Sequence, residues 1–254
     1  STGDILNQMQ DMFGLESINN EDILNVFKLF DGEFVLNVED ESGKINVNDC
    51  SEGRCIEVQL MLEALFSCPA EKLFMENLRI RPKELIARIK DWVDKDNIAE
   101  PESGFNDEDS PYYDINYKSK NAPFDTLEEL KMLPGWTPVV HTVFSPYITV
   151  YPFKRITTAE SKININTASR ALLGCLIPEA KISCSKDFEI NYKTMSESKT
   201  PVASKHSQIK EVLSQMFCAS SDTKAKDKWF TVRSSTFNIR SKGIVGIQTV
   251  NLNV

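Results

Sequence analysis

Two short strings, SGKINVN at residues 42–48 and SKININTAS at 161–169, are near copies of each other about 120 residues apart. Each joins Lys-Ile-Asn to a second aliphatic residue and a second Asn. Each also leads towards an apolar run: Val58, Leu60, Leu62, Leu65 and Phe66 after the first, Leu172, Leu173, Leu176 and Ile177 after the second. Chance is a poor explanation in a chain that is otherwise not repetitive. Locally, aliphatic residues alternate with Asn. That pattern turns the apolar side chains inward and leaves the Asn side chains to cap or turn the backbone.

Residues 20–30, NEDILNVFKLF, have Ile23, Leu24, Phe27 and Phe30 on one helical face behind a capping Asn20, and Asp31-Gly32 turns the chain. EFVLNV alternates through Phe34, Leu36 and Val38 and reads as a strand. From 58 to 93 the period is helical. In RPKELIARIKDWVDK, Pro82 suits a first turn, and Leu85, Ile86, Ile89, Trp92 and Val93 form an apolar stripe. PFDTLEELKML has capping-box spacing at Asp125 and Glu128, and Thr137-Pro138 opens a further helix. NTASRALLGCL is expected to be capped by Asn166 or Thr167. Residues 185–206 are polar and read as a surface loop, and SQIKEVLSQMF is an amphipathic helix. FTVRS, TFNIRS and GIVGIQTVNLNV read as antiparallel strands, with a turn at Lys242-Gly243. Helices in the middle and strands near both ends predict an α+β fold with a helical insertion.

A chain of 254 residues suffices for one large domain or two small ones. Its formal net charge of −8 opposes a general nucleic-acid role, which needs a positive footprint. It contains no apolar run of about 18 residues and no visible signal peptide. The opening STGDILNQ, without Met, reads as a processed or trimmed product. None of the six Cys forms Cys-x-x-Cys, and there are only two His, so zinc is poorly supported. An even number of Cys in loop-like settings points to disulfides in an oxidising compartment. Cys50 with Cys55 and Cys175 with Cys184 each flank a short loop, although about 15 full pairings are open.

Residues 91–114, DWVDKDNIAEPESGFNDEDSPYYD, carry nine acids and one base, Lys95. Such crowding calls for solvent or a cation. The spacing is not that of an EF-hand, since Ala99 stands where Gly belongs and Phe105 where Glu belongs. Any site would be irregular, built from Asp94 and Asp96 and closed by Asp107, Glu108 and Asp109. Hard oxygen ligands favour Ca²⁺. LKMLPGW, residues 130–136, has the form of a helix-hairpin-helix turn, which in other settings holds DNA phosphate on backbone amides. Its flanks, Glu128, Glu129 and Lys131, make a poor phosphate cradle. Signatures of nucleotide-binding loops, nucleophile elbows and zinc proteases are missing. His141, on an otherwise apolar helix, reads as a packed residue.

Taken in order, VEDESGKINVN, DWVDKD with EDSPYY, NAPFDTLEELKMLPGWTP, SKININTASRALLGCL and WFTVRSSTFNIRSKGIVG resemble the segments of the K-type minor pseudopilins of type II secretion. The resemblance runs from about residue 30 to 250. It implies a pilin-like α+β domain with an antiparallel sheet, residues 1–57 and 160–254. A helical insertion of helix-hairpin-helix type, residues 58–159, would interrupt that domain. The two KIN strings would be edge segments, each delivering chain into a helical subdomain. The resemblance further implies calcium in the acidic loop, with Asp96 and Glu108 the preferred ligands. It implies a non-enzymatic tip subunit that partners the I-type and J-type minor pseudopilins through the segment near Ile5 and Met9 and the pilin-like part. It also implies a periplasmic setting and a membrane-anchoring amino-terminal helix that this sequence does not include. A helix-hairpin-helix nucleic-acid-binding protein and a calcium-dependent hydrolase are the competing readings.

Overall fold

The structure, a computed structural model, describes residues 33–52, 55–152, 162–177, 203–216, 228–245 and 248–253. The expected helix at 20–30, the segment near Ile5 and Met9, Cys184, Cys218 and most of the polar loop after residue 185 lie outside the described residues. The fold mixes helices with small sheets, and the chain divides into two compact units, residues 1–39 with 238–254 and residues 40–237. The divisions fall at 39–40 and 237–238, outside the 58–159 span expected for the helical insertion.

The first unit holds a three-stranded sheet in the order β1-β6-β7, from β1 (Glu33–Asp40), β6 (Phe237–Val245) and β7 (Gln248–Asn253). In β1, Val35 is exposed while Leu36 and Val38 are half-buried, as the alternation predicts. β6 and β7 run antiparallel from Arg240↔Asn253 to Val245↔Gln248. Lys242 and Gly243 therefore pair inside the ladder, with Asn251 and Val250, and do not form the expected turn.

The second unit explains the repeated string. The first copy forms β2 (Ile45–Asn46), which pairs in parallel with β3 (Ile148–Thr149) about 100 residues later. The second copy forms β4 (Ile163–Asn164), which pairs in parallel with β5 (Phe230–Thr231). The expected antiparallel strand FTVRS is thus only two residues long, because its partner is the KIN copy and not the terminal sheet. In both copies the first Asn accepts the main-chain N–H of the second: Asn48 to Asn46 Oδ1 and Asn166 to Asn164 Oδ1, both at 3.0 Å. The second Asn then pins a distant segment through an amide and a carbonyl together. Asn48 accepts from Phe124 N at 2.7 Å and donates to Phe124 O at 2.9 Å and Val150 O at 2.7 Å. Asn166 accepts from Ala203 N at 3.0 Å and donates to Ala203 O at 3.1 Å.

The correspondence continues past the pinned residue. Glu129 Oε1 accepts from the N–H groups of Asp125 and Thr126 (2.9 and 3.2 Å), and Gln208 Oε1 accepts from Ser204 and Lys205 (both 2.9 Å). The residue five places after the pinned one thus holds the turn in both halves. The cap anticipated at Asp125/Glu128 consequently sits one residue later, and the segment it opens, Leu127–Met132, is a 3₁₀ helix.

Between β2 and β3 run α1 (Cys55–Phe66), α2 (Pro69–Asn77), α3 (Pro82–Val93) and α4 (Pro138–Phe144). α3 buries Leu85, Ile86, Ile89, Trp92 and Val93, the stripe read from the sequence, and Thr137 caps α4 by accepting from Val140 N. Between β4 and β5 lie α5 (Arg170–Leu176) and α6 (Ile209–Met216). Ser169 caps α5, and neither Asn166 nor Thr167 does. Asn166 is committed to Ala203, and the Thr167 hydroxyl donates to Asp40 at 2.6 Å. Gly43 lies against the second copy, where an added Cβ would meet Thr167 O at 2.8 Å, so the backbones approach too closely for a side chain. Cys50 is bonded to Cys55, as expected. Cys175 is bonded to Cys68 and not to Cys184, because α5 packs on the first half and brings its buried thiol to the start of α2.

Candidate metal centre

α3 ends in the acidic loop. Asp94 closes the helix with its N–H on Lys90 O, and the chain leaves for nearly thirty residues before Ala122 N donates to Trp92 O at 3.2 Å. An aromatic wall backs this exit and return, with Trp92 stacked on Phe124 (5.8 Å) and edge-on to Tyr112 (5.7 Å). Ser119 ties the returning strand to the helix end by donating its hydroxyl to Asp91 O at 2.9 Å.

The loop folds Asp94, Asp96 and Glu108 together, with a carboxylate oxygen of each within 4.8 Å of the others. Glu108 is only 3% exposed, and neither of its oxygens accepts a hydrogen bond. Asp94 Oδ1 is likewise buried without a donor. The other two expected ligands do local work. Asp107 Oδ1 accepts from Asp109 N (3.0 Å) and Tyr113 OH (2.9 Å). Asp109 accepts from Ser119 N (2.9 Å) and pairs with Lys118 (3.6 Å). Of the five residues read from the sequence, the structure brings three to one centre and uses two to shape the turn beside it.

Burial, followed by the charges of Asp94, Asp91 and Asp96, pushes the Glu108 carboxyl up to about 8. Burial and the charge of Asp96 raise Asp94 to about 6. Buried Asp91 is also raised to about 6, although it accepts from Glu100 N at 2.7 Å. Carboxylates so arranged do not all keep their charge unless a cation is among them. The donor set is all hard oxygen, which fits Ca²⁺ or Mg²⁺ and not zinc. The residues present therefore fit a bound calcium ion.

Asp91 and Arg88 escaped the sequence reading. Asp91 lies four residues after buried Ala87, a spacing that places it on the inner side of α3. Arg88 donates to Ser103 O in the acidic loop (3.0 Å) and to Pro134 O in the hairpin turn (2.9 Å), and its guanidinium lies over Phe105 at 5.0 Å. Gly135 has φ +80, and a Cβ there would meet Arg88 Nη1 at 3.0 Å. The chain's own cation thus occupies the flank of the hairpin, which is no free phosphate cradle. Buried His141 accepts from Trp136 Nε1 at 3.3 Å and reads as a packed residue, and burial lowers its pKa.

Residues 43–153, from the first KIN copy to just beyond β3, match the family model of protein K of the type II secretion system. This region is similar to a type II secretion protein K domain. The domain thus covers the first of the two halves, including the whole acidic loop. The chain is also similar to the type II secretion system protein K of Klebsiella pneumoniae, with 26% identity over 219 residues, which is 83% of this chain and 61% of that protein. It therefore spans about three fifths of the length of that relative. Its fold matches a chain in the crystal structure of the GspK-GspI-GspJ complex from the type 2 secretion system of enterotoxigenic Escherichia coli. There the TM-score is 0.62 at 17% identity, covering 88% of this chain and 74% of that one. The family resemblance read from the ordered motifs is borne out.

Proposed function

We propose that this chain is the K-type minor pseudopilin of a type II secretion system, a non-enzymatic subunit that caps the pseudopilus tip during export of folded proteins. The protein K domain at residues 43–153 carries this reading. In the same reading a pilin-like part, residues 1–57 and 160–254, is interrupted by a helical insertion at residues 58–159. The body is periplasmic and hangs from an amino-terminal membrane helix. The I-type and J-type minor pseudopilins are its partners, a reading supported by the structural match to a chain of a GspK-GspI-GspJ complex. Among the described residues no helix is long and apolar enough to cross a membrane.

Calcium belongs to the proposal. Asp94, Asp96 and Glu108 would hold the ion, which would supply the positive charge that lets three crowded carboxylates ionise together. Asp107 and Asp109 would hold the loop around it. A ligand that binds only the folded chain stabilises it by about 2.7 kcal/mol at a hundredfold excess over Kd. Metal-stripped protein should therefore melt higher in millimolar Ca²⁺ than in EDTA, and an unchanged midpoint sinks the calcium reading. For the assembly, mixing the chain with the soluble I-type and J-type subunits of the same organism should give one co-eluting complex on size exclusion. Separate elution at micromolar concentrations, or incorporation along filament shafts, refutes the tip assignment.

A further inference from the structure

Asn121 stands out among the residues of the acidic segment. Its Nδ2 donates to Asp96 O at 2.6 Å and to Asn97 Oδ1 at 2.8 Å. Its Oδ1 is buried and accepts no hydrogen bond. Turning the amide over would not cure this, because the carbonyl would then face Asp96 O at the same short distance. The backbone sits at φ +46, in the left-handed region that Asn tolerates better than most residues, and the next N–H, that of Ala122, closes onto Trp92 O. Asn121 is thus fastened at both ends of the same short stretch, to the helix end that precedes Asp94 and to the main chain of Asp96.

A buried amide oxygen without a donor costs about 1–3 kcal/mol. Glu108 Oε1 and Oε2 and Asp94 Oδ1 are in the same condition. Without metal the Asp94 and Glu108 carboxyls can meet that need only by sharing a proton and giving up a charge, whereas Asn121 Oδ1 has no such recourse. Asn121 is bonded to the main chain of Asp96, one of the three clustered acids, and side-chain amide carbonyls are ordinary calcium ligands. We infer that Asn121 supplies a neutral oxygen ligand to the same ion as Asp94, Asp96 and Glu108, an assignment that rests on the calcium reading above. A neutral donor suits the site, since three carboxylates already exceed the charge of a divalent ion, and calcium takes about 6–8 oxygens.

The test separates a ligand from a residue that merely braces the loop. Calcium is titrated calorimetrically into the metal-stripped full chain and into Asn121→Gly and Asn121→Asp. Glycine accepts the positive φ but removes the oxygen. Aspartate keeps an oxygen and adds charge, but it loses both hydrogen bonds donated to Asp96 and Asn97. A ligand role predicts an affinity weakened about tenfold or more in Asn121→Gly and largely recovered in Asn121→Asp, because calcium affinity follows the number and charge of the oxygens offered. Melting in EDTA checks that both variants fold. Equal weakening in the two variants assigns Asn121 to bracing and overturns the inference, as does unchanged affinity in Asn121→Gly. Absence of binding by the parent chain defeats the calcium reading itself, and the inference falls with it.

Discussion

Removing the Cys68–Cys175 bond, by Cys68→Ala with Cys175→Ala, should cost this protein more than twice what removal of Cys50–Cys55 costs. A disulfide restricts the unfolded chain by an entropy of about −2.1 − 1.5R ln n cal/mol/K. The long bond spans a separation of 107 and the short one a separation of 5. At 25 °C the relation gives about 4.8 kcal/mol for the first and about 2.1 kcal/mol for the second. Packing losses largely cancel in the comparison, since Cys68, Cys175 and Cys50 are all at most 6% exposed and Cys55 is half-buried against the same core. Urea unfolding without reductant is the assay, followed by fluorescence, because Trp92, Trp136 and Trp229 all lie buried in the 40–237 unit. Midpoint and slope are read together, so that a change in the unfolded state shows as a change in slope. Equal losses for the two pairs, or a larger loss for Cys50–Cys55, would refute the chain-entropy reasoning for this fold.

Other substitutions probe the duplication and the site. Asn48→Ala should destabilise by about 3 kcal/mol or more, because it strands buried groups at Phe124 and Val150. Asn166→Ala strands only Ala203 and should cost about 1–2 kcal/mol; urea midpoints compare the two. Gly43→Ala should cost about 1–3 kcal/mol, since its Cβ would press on Thr167 backbone that has no rotamer to escape into; a neutral melting temperature contradicts this. Without metal, stability should fall as pH rises from about 4 to about 8. The folded carboxyls of Asp91, Asp94 and Glu108, raised to about 6, 6 and 8, keep protons there that the unfolded chain releases. Glu108→Gln should raise the metal-free melting temperature at pH 8 and abolish the response to calcium; a preserved calcium response removes Glu108 from the site.

The stripe on α3 was legible because periodicity and burial obey the same geometry: every residue read as apolar-facing is buried. Caps were less legible, for a reason visible at Asp125. The pairs Asp125/Glu128 and Thr126/Glu129 have identical spacing, and only the fixed backbone tells which carboxylate reaches back. At the second KIN copy the best capping residue by type, Asn166, is taken by a bond to Ala203, a partner far along the chain. The Cys175 partner was hidden in the same way, since a short loop suggests Cys184 while helix packing supplies Cys68. At the acidic loop the sequence marked five acids, but the sorting into three clustered and two bracing depends on Tyr113, Ser119 and Lys118, whose roles exist only once the loop has closed. Asn121 opens the family-like segment NAPFDTLEELKMLPGWTP but gave no sign of ligation, because an amide in a polar loop is ordinary until its oxygen is found buried.

The strand pair Ile45–Asn46 with Ile148–Thr149 has a consequence for the order of events during synthesis. Its partners lie about 100 residues apart, so the bonds between them form only after the helices have shortened the gap. A chain emerging from its amino-terminal end exposes Cys50, Cys55 and Cys68 together, well before Cys175 arrives. If the small ring at Cys50–Cys55 closes first, it withdraws the two thiols that would otherwise compete for Cys68. The small ring would then act as a guard on pairing. When the second KIN copy and its helix emerge, Cys175 meets a first half whose remaining thiol is already the right one, and their bond records that both halves have docked.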